Sequence, residues 1–157
     1  FNLAINISGA QLTKNHIDKL LALVSESPFP NENIFFEITE TVLVKEASYA
    51  SDLLEKIRQS GVKLSIDDFG MGYSSLGYLK RFKVSQLKMD KVLIDDIDTN
   101  EESLAIAKAV IALGQSLGLE VVAEGVETKE QATILGALNC DTIQGFYFSK
   151  PIPFSEL

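Results

Sequence analysis

The chain has 157 residues, 46% of them hydrophobic, with a formal net charge of −8 and one cysteine. That size and apolar content suit one domain with a real core and argue against disorder, while the acidic balance speaks against gripping a nucleic-acid polymer through a basic face. No run approaches the roughly 20 apolar residues of a bilayer span, so no membrane contact is expected of this segment. The lone Cys140 excludes an internal disulfide, fits a reducing, cytoplasmic compartment and reads as a small buried hydrophobe. Phe1 already lies in a strand pattern with no signal-peptide region before it, so the chain reads as a piece of a longer protein.

The predicted elements alternate. Phe1–Ile7 is a β-rich strand ending in Asn6 and Ser8. Leu12, Ile17, Leu20, Leu21 and Val24 recur at helical spacing and predict a helix over 10–27, ended by Pro28 and Pro30. His16 lies in that pattern with no ligand signature around it and reads as a surface residue. A second strand over 33–38 closes on Glu37 and is followed by Glu40; a helix over 48–60 stops at Gly61, a C-cap position. The third strand, 62–67, runs into Asp67 and Asp68. A short helix over 73–82 precedes a fourth strand, 84–90, which carries Lys88 and Asp90. Leu104, Ala107, Val110, Ile111 and Leu113 mark one face of a helix over 101–117, terminated by Gly118. The fifth strand, 119–123, delivers Glu124, Gly125 and Glu127. Thr128 caps a helix over 129–138 with Glu130 and Gln131 in its first turn, and the sixth strand, 141–145, carries Gln144.

Strand and helix alternating with short loops call for a parallel sheet with helices outside it. The polar residues choose between an open doubly wound sheet and a barrel. Asn6, Glu37, Asp67, Lys88, Glu124 and Gln144 each fall at or just before the carboxyl end of a successive strand. An open sheet gathers its ligand at one switch point, whereas a barrel brings every strand end to one mouth. The expected fold is therefore a TIM-like (β/α)8 barrel, here partial with about six of the strands, and residues 1–157 form a single domain.

The stretch from Lys63 to Leu76 is the centre of this arrangement. Two adjacent carboxylates at the end of a buried strand raise the cost of ionising each other, and a divalent cation is the leading candidate to sit on them. With Asn6, Glu37, Asp90 and Glu124 they form an oxygen-rich set without paired cysteines or histidines, which selects magnesium, manganese or calcium. Several acids around one lysine point to a two-metal phosphoester hydrolase.

The quoted motifs then resemble a known family. Asn6-Ile7-Ser8, Glu37-Ile38-Thr39-Glu40, Asp67-Asp68-Phe69-Gly70-Met71-Gly72-Tyr73-Ser74-Ser75-Leu76, Leu87-Lys88-Met89-Asp90, Val122-Ala123-Glu124-Gly125-Val126-Glu127 and Gln144-Gly145-Phe146 resemble, in order, those of EAL domains, the cyclic di-GMP phosphodiesterases of bacterial signalling. The resemblance implies hydrolysis of cyclic di-GMP to linear pGpG with two Mg2+ or Mn2+ ions. It makes Asn6, Glu37, Asp67, Asp68 and Glu124 metal ligands, with Glu37 and Glu124 counted also among the catalytic residues. Lys88 matches the lysine near the attacking water and Asp90 the carboxylate beside it. Glu127 and Gln144 match substrate-contact or outer positions. Glu40 matches the glutamate that steadies the loop after the double aspartate, and Phe69, Gly70, Gly72, Tyr73, Ser74 and Ser75 match that loop, linked in the family to metal binding and dimerisation. A homodimer and fusion to a sensor or GGDEF-type domain are further expectations.

The Glu-Ala-Leu motif that names the family is absent from the chain and would lie before Phe1, so the fragment alone is expected to turn over little or nothing. Met71 stands where threonine is common. A kinase reading of Asp68-Phe69-Gly70 lacks the other kinase motifs, and Gly70-Met71-Gly72 lacks the third glycine of a dinucleotide fingerprint, with Ser75 in its place. The alternative of another class is a catalytically silent EAL domain acting as a cyclic di-GMP receptor or protein-interaction module; intact acids and loop glycines favour the enzyme.

Overall fold

A computed structural model describes residues 1–45, 47–70 and 76–153. The chain divides into two compact units, Phe1–Leu87 and Lys88–Leu157.

In the first unit three strands run parallel: β1 (Leu3–Asn6), β2 (Ile34–Thr39) and β3 (Lys63–Phe69). Helices α1 (Lys14–Glu26), α2 (Glu40–Lys45), α3 (Ala47–Gln59) and α4 (Leu76–Phe82) connect them or follow β3. β2 is the middle strand, and five of its six residues are buried, as expected of a parallel strand covered on both faces. Its alternation separates two chemistries. Ile34, Phe36 and Ile38 share one face and are almost fully buried, at 2%, 0% and 1% exposure; α2 packs on β2, α3 on β3, and α1 on α3. Ile17, Leu54 and Ile57 from α1 and α3 complete that apolar layer. Phe35, Glu37 and Thr39 take the other face.

The register fixes what lies beside them. Ala4, Phe35 and Lys63 are level, then Asn6, Glu37 and Ser65, then Thr39 and Asp67. Level residues of parallel strands point to the same side, roughly 5 Å apart, so this face grows more polar toward the carboxyl ends. At its other end the Lys63 ammonium lies 5.1 Å from the centre of the Phe35 ring, a cation–π contact.

β4 (Gln86–Met89) carries the chain from the first unit into the second. The second unit adds α5 (Glu101–Leu117), β5 (Glu120–Ala123), α6 (Lys129–Ala137) and β6 (Thr142–Ile143), with β5 and β6 parallel. Asn100 caps α5 by accepting from the Glu102 and Ser103 amides, and Glu101 and Glu102 complement the helix dipole. Gly118 ends α5 in the left-handed region at φ +68. Thr128 and Gln131 form a reciprocal capping box on α6. Ala107, Val110, Ile111, Val121, Val122, Ala123, Val126 and Leu135 make the core of this unit.

Three features depart from the sequence reading. β1, β4, β5 and β6 are shorter than their apolar patterns, while β2 keeps its expected length and β3 runs on to Phe69; at β5, the Leu119 amide closes the end of α5 on the Gly114 carbonyl, and the Val121 amide bonds the Asp141 carboxylate, so side chains and caps take bonds a longer ladder would use. α2 was not expected, because six residues are too few to display a helical period. Cys140 is half-buried instead of buried, with its sulfur near the Val121 and Thr142 carbonyls; burial pushes its thiol pKa up and keeps it protonated. His16 is exposed, bonded to Thr13, as expected of a surface residue.

Gly114 separates helix propensity from packing. A Cβ there would lie 2.2 Å from Val121 Cγ2. Propensity alone favours Gly114→Ala by about 1 kcal/mol, but overpacking costs about 1–3 kcal/mol. We expect net destabilisation in chemical denaturation; a more stable Gly114→Ala protein would mean that α5 and β5 are not packed this closely.

Candidate active site

The first unit presents its polar residues at the carboxyl ends of β1, β2 and β3. Asn6 ends β1, level with Glu37, which is 7% exposed; Asp67 is level with Thr39. Asn6, Glu37 and Asp67 therefore share one face of the sheet across two adjacent levels. Ser65, level with Glu37 and 1% exposed, donates its hydroxyl to Gln86 Oε1 at 2.9 Å, which extends the polar layer to the start of β4.

Asp68 interrupts the regular alternation of β3 near its end. Its φ of +54 lies in the left-handed region, which costs an L-residue about 1 kcal/mol and which aspartate tolerates better than most. Regular alternation would send Asp67 and Asp68 to opposite faces; a left-handed residue removes that restriction, as at a bulge. The Asp68 amide donates to Asp67 Oδ1 at 3.2 Å. Two residues on, Gly70 has a φ of +99 and donates its amide to Glu40 Oε2 at 3.1 Å. Glu40, first residue of α2 and 6% exposed, thus steadies the start of the loop after the double aspartate; its other oxygen, Oε1, is buried with no hydrogen-bond partner among the described residues. Phe69 is buried between them in sequence. Gly72, Tyr73, Ser74 and Ser75, the remaining loop residues named from the sequence, lie outside the described residues.

The second unit carries the cation. Lys88 is 7% exposed and donates from Nζ to Glu124 Oε1 at 2.8 Å. A buried ammonium needs such a partner. Glu124 is delivered by the end of β5, and its amide reaches the Met89 carbonyl of β4. Asp90 starts a 3-10 turn over Lys91–Leu93 and accepts the Val92 amide on Oδ1 at 2.7 Å, so its carboxylate is oriented by its own backbone.

Asp90, Lys91, Glu124, Gly125, Glu127, Gln144, Gly145 and Phe146 line a cavity of about 340 Å3. Two glycines shape it by close approach. A Cβ on Gly125, whose φ is +71, would meet the Lys91 stem at 2.6 Å; one on Gly145 would lie 2.1 Å from the Val126 carbonyl oxygen. Lys91 bonds Glu127 at 2.5 Å and pairs with Asp95 at 3.4 Å. Its pKa is raised, first by the Glu127 hydrogen bond and then by Asp95, so the ammonium stays charged well above neutral pH. Sequence reading missed Lys91, which lies in none of the quoted motifs, and gave Gly145 only as part of Gln144-Gly145-Phe146, with no role of its own.

The structure thus brings Asn6, Glu37 and Asp67 to one face in the first unit, pairs Lys88 with Glu124 in the second, and lines one cavity with Asp90, Glu124, Glu127 and Gln144. Among the described residues of either unit, no three His, Cys, Asp or Glu side chains are clustered to hold an ion by themselves. The donor chemistry within each unit fits a hard cation: Asn6, Glu37, Asp67 and Asp68 in the first, and Glu124 in the second, offer oxygen as ligand atoms.

Parallel strands with acids at their carboxyl ends and a buried lysine paired with a half-buried glutamate define a class of α/β protein with a candidate active site on its strand ends. The family is then direct: the EAL domain model matches residues 1–151, and the chain belongs to the EAL domain family. It is 39% identical over 153 residues to the cyclic di-GMP phosphodiesterase RocR of Pseudomonas aeruginosa, covering 97% of this chain and 39% of that protein. Among solved structures it resembles the PaMucR phosphodiesterase in complex with c-di-GMP, with a TM-score of 0.93 and 37% identity over 99% of this chain and 63% of that one. It also resembles a manganese and cy-diGMP complex of BlrP1 from Klebsiella pneumoniae, with a TM-score of 0.89 and 35% identity over 96% of this chain and 39% of that one; a calcium complex of the same protein matches equally well. These likenesses give the chain the TIM-like α/β fold of EAL domains. The chain spans about two fifths of the length of the curated relative and less than two thirds of either solved chain.

Asp68 offers a test of how the double aspartate is held. Asp68→Ala keeps a Cβ in the left-handed region and is expected to lower stability by about 1 kcal/mol, whereas Asp68→Gly relieves the strain. Thermal melting should place Asp68→Gly above Asp68→Ala. Equal melting temperatures would show that the left-handed backbone is not present.

Proposed function

We propose that the chain is the catalytic part of a divalent-metal-dependent phosphodiesterase that hydrolyses cyclic di-GMP to linear pGpG. The observation that carries this reading is the oxygen-only donor set at the strand ends of a chain belonging to the EAL family. Similarity to a cyclic di-GMP phosphodiesterase and to structures solved with cyclic di-GMP supports the substrate; the calcium and manganese complexes of a relative support a divalent ion.

In this reading Asn6, Glu37, Asp67, Asp68 and Glu124 hold two magnesium or manganese ions. Such ions lower the pKa of a bound water and stabilise charge building on the phosphate oxygens. The remaining steps fall to the chain's own residues. Lys88 fixes the Glu124 carboxylate through its 2.8 Å hydrogen bond and orients the attacking water. Asp90, held by the Val92 amide, presents its other oxygen beside that water. Glu127 and Gln144, on the cavity wall, contact the nucleotide. Glu40 keeps the backbone after Asp67-Asp68 in place through the Gly70 amide. The water oxygen bonds to phosphorus, the bond from phosphorus to one ribose oxygen breaks, and that oxygen takes up a proton.

The test is to incubate the complete protein that carries this chain with cyclic di-GMP and magnesium or manganese and to follow pGpG by chromatography. We expect turnover, its loss on chelation, and a fall of about 100-fold in Glu124→Gln. No pGpG from the unaltered protein, or a near-normal rate in Glu124→Gln, would overturn the assignment.

A further inference from the structure

Gln131 is 4% exposed in the first turn of α6, and its side chain bonds four backbone groups. Oε1 accepts from the Glu127 amide at 2.8 Å and the Thr128 amide at 3.0 Å. Nε2 donates to the Ile94 carbonyl at 3.3 Å and the Asp95 carbonyl at 3.1 Å. Two acceptor sites and two donor hydrogens are all in use, which saturates the amide. A capping box requires only the reciprocal bond with Thr128. The bonds to Ile94 and Asp95 exceed it and tie the loop after β5 to the segment after the 3-10 turn.

One tied segment lines the cavity through Glu127; the other reaches it through Asp95, which pairs with the cavity residue Lys91. Glu127 binds Lys91 as well. Glu127 and Lys91 are about half and two-fifths exposed at their side chains, at 49% and 40%. An ion pair so exposed contributes little by itself and does not hold two long side chains in one place. The rigid part is the backbone beneath them, and Gln131 is the buried group that joins its two halves.

Resting on the phosphodiesterase reading, we propose that Gln131 is a positioning residue: it locks the Glu127 backbone to the Ile94–Asp95 carbonyls and so sets Glu127 and Lys91 against the substrate. Outer groups that orient the residues touching a ligand typically matter by about 10- to 100-fold in activity. Gln131→Glu is the sharp variant, because it keeps the size and the acceptor but aims a carboxylate oxygen at two carbonyls. Gln131→Leu removes all four bonds and serves as the second variant.

Two measurements on the complete protein decide this. In a double-mutant cycle on cyclic di-GMP hydrolysis, Gln131→Glu should lower kcat/KM by about 10-fold or more, chiefly through KM. It should add little to Glu127→Gln, because both act through one contact. Fully additive effects, or unchanged kcat/KM, would overturn the proposal. Amide hydrogen exchange reads the clamp without activity. The Glu127 and Thr128 amides should exchange faster in Gln131→Leu, which removes their acceptor, while β5 and α5 keep their protection; unchanged exchange at Glu127 and Thr128 in that variant, or an equal loss across the whole unit, would overturn it. Absence of turnover in the unaltered protein would count against the phosphodiesterase reading, and the exchange result alone would then decide the role of Gln131.

Discussion

Among the described residues, three charged side chains are more than nine-tenths buried: Glu37 in β2, Glu40 at the start of α2 and Lys88 in β4, at 7%, 6% and 7% exposure. Burying a charge without compensation costs far more than any single contact in a domain can return. The local structure around each of them answers that constraint. Lys88 is placed on Glu124 at 2.8 Å. One oxygen of Glu40 takes the Gly70 amide. Glu37 lies level with Asn6 and Ser65 in a polar row instead of among the isoleucines of the opposite face. A protein selected for stability alone would fill these positions with apolar side chains. Charges kept there at a stability cost fit the proposed phosphodiesterase, whose reaction would take place at the strand ends.

The backbone shows the same preference for geometry over ease. Asp68 sits at φ +54 within β3, next to an aspartate whose carboxylate it bonds with its own amide. Gly125 and Gly145 let the Lys91 stem and the Val126 backbone approach to distances that any side chain would forbid. Strained or side-chain-free positions of this kind persist where the surroundings over-determine them, and functional loops are where they gather. In the second unit the same loops are stitched by hydrogen bonds: the Val126 amide to the Gln144 carbonyl, the Tyr147 amide to the Val126 carbonyl, and Gln131 beneath. The cavity lined by Asp90, Lys91, Glu124 and Glu127 thus rests on loops whose backbone is held by these bonds.

Much of this was legible in the sequence, for reasons that can be named. Alternating apolar residues in β2 and β3, and the 3.6-residue spacing in α1 and α5, report burial directly, so the order of elements follows from pattern. Asn6, Glu37, Asp67, Lys88 and Glu124 stood out because each interrupts an apolar run at its end. Other features had no such signal. α2 is shorter than two helical turns. Asp90 was expected beside the lysine, and its use as a cap shows only once the Val92 amide is placed. Gln131 was visible as a capping residue, yet its further partners are carbonyls of Ile94 and Asp95, and a carbonyl leaves no trace in a sequence. The steric role of Gly145 depends on a segment 19 residues away in the chain (Val126), which no local pattern encodes.

The proposed phosphodiesterase activity requires the oxygen donors to be metal ligands and not ordinary salt-bridge partners. The most direct measurement is calorimetric titration of the complete protein with manganese, comparing the unaltered chain with Asp67→Asn and Asp68→Asn. Both substitutions keep the shape of the side chain and, at Asp68, a residue that tolerates the left-handed region. The account predicts saturable manganese binding that each substitution weakens by about 10-fold or more. Binding of equal strength in all three proteins would contradict it.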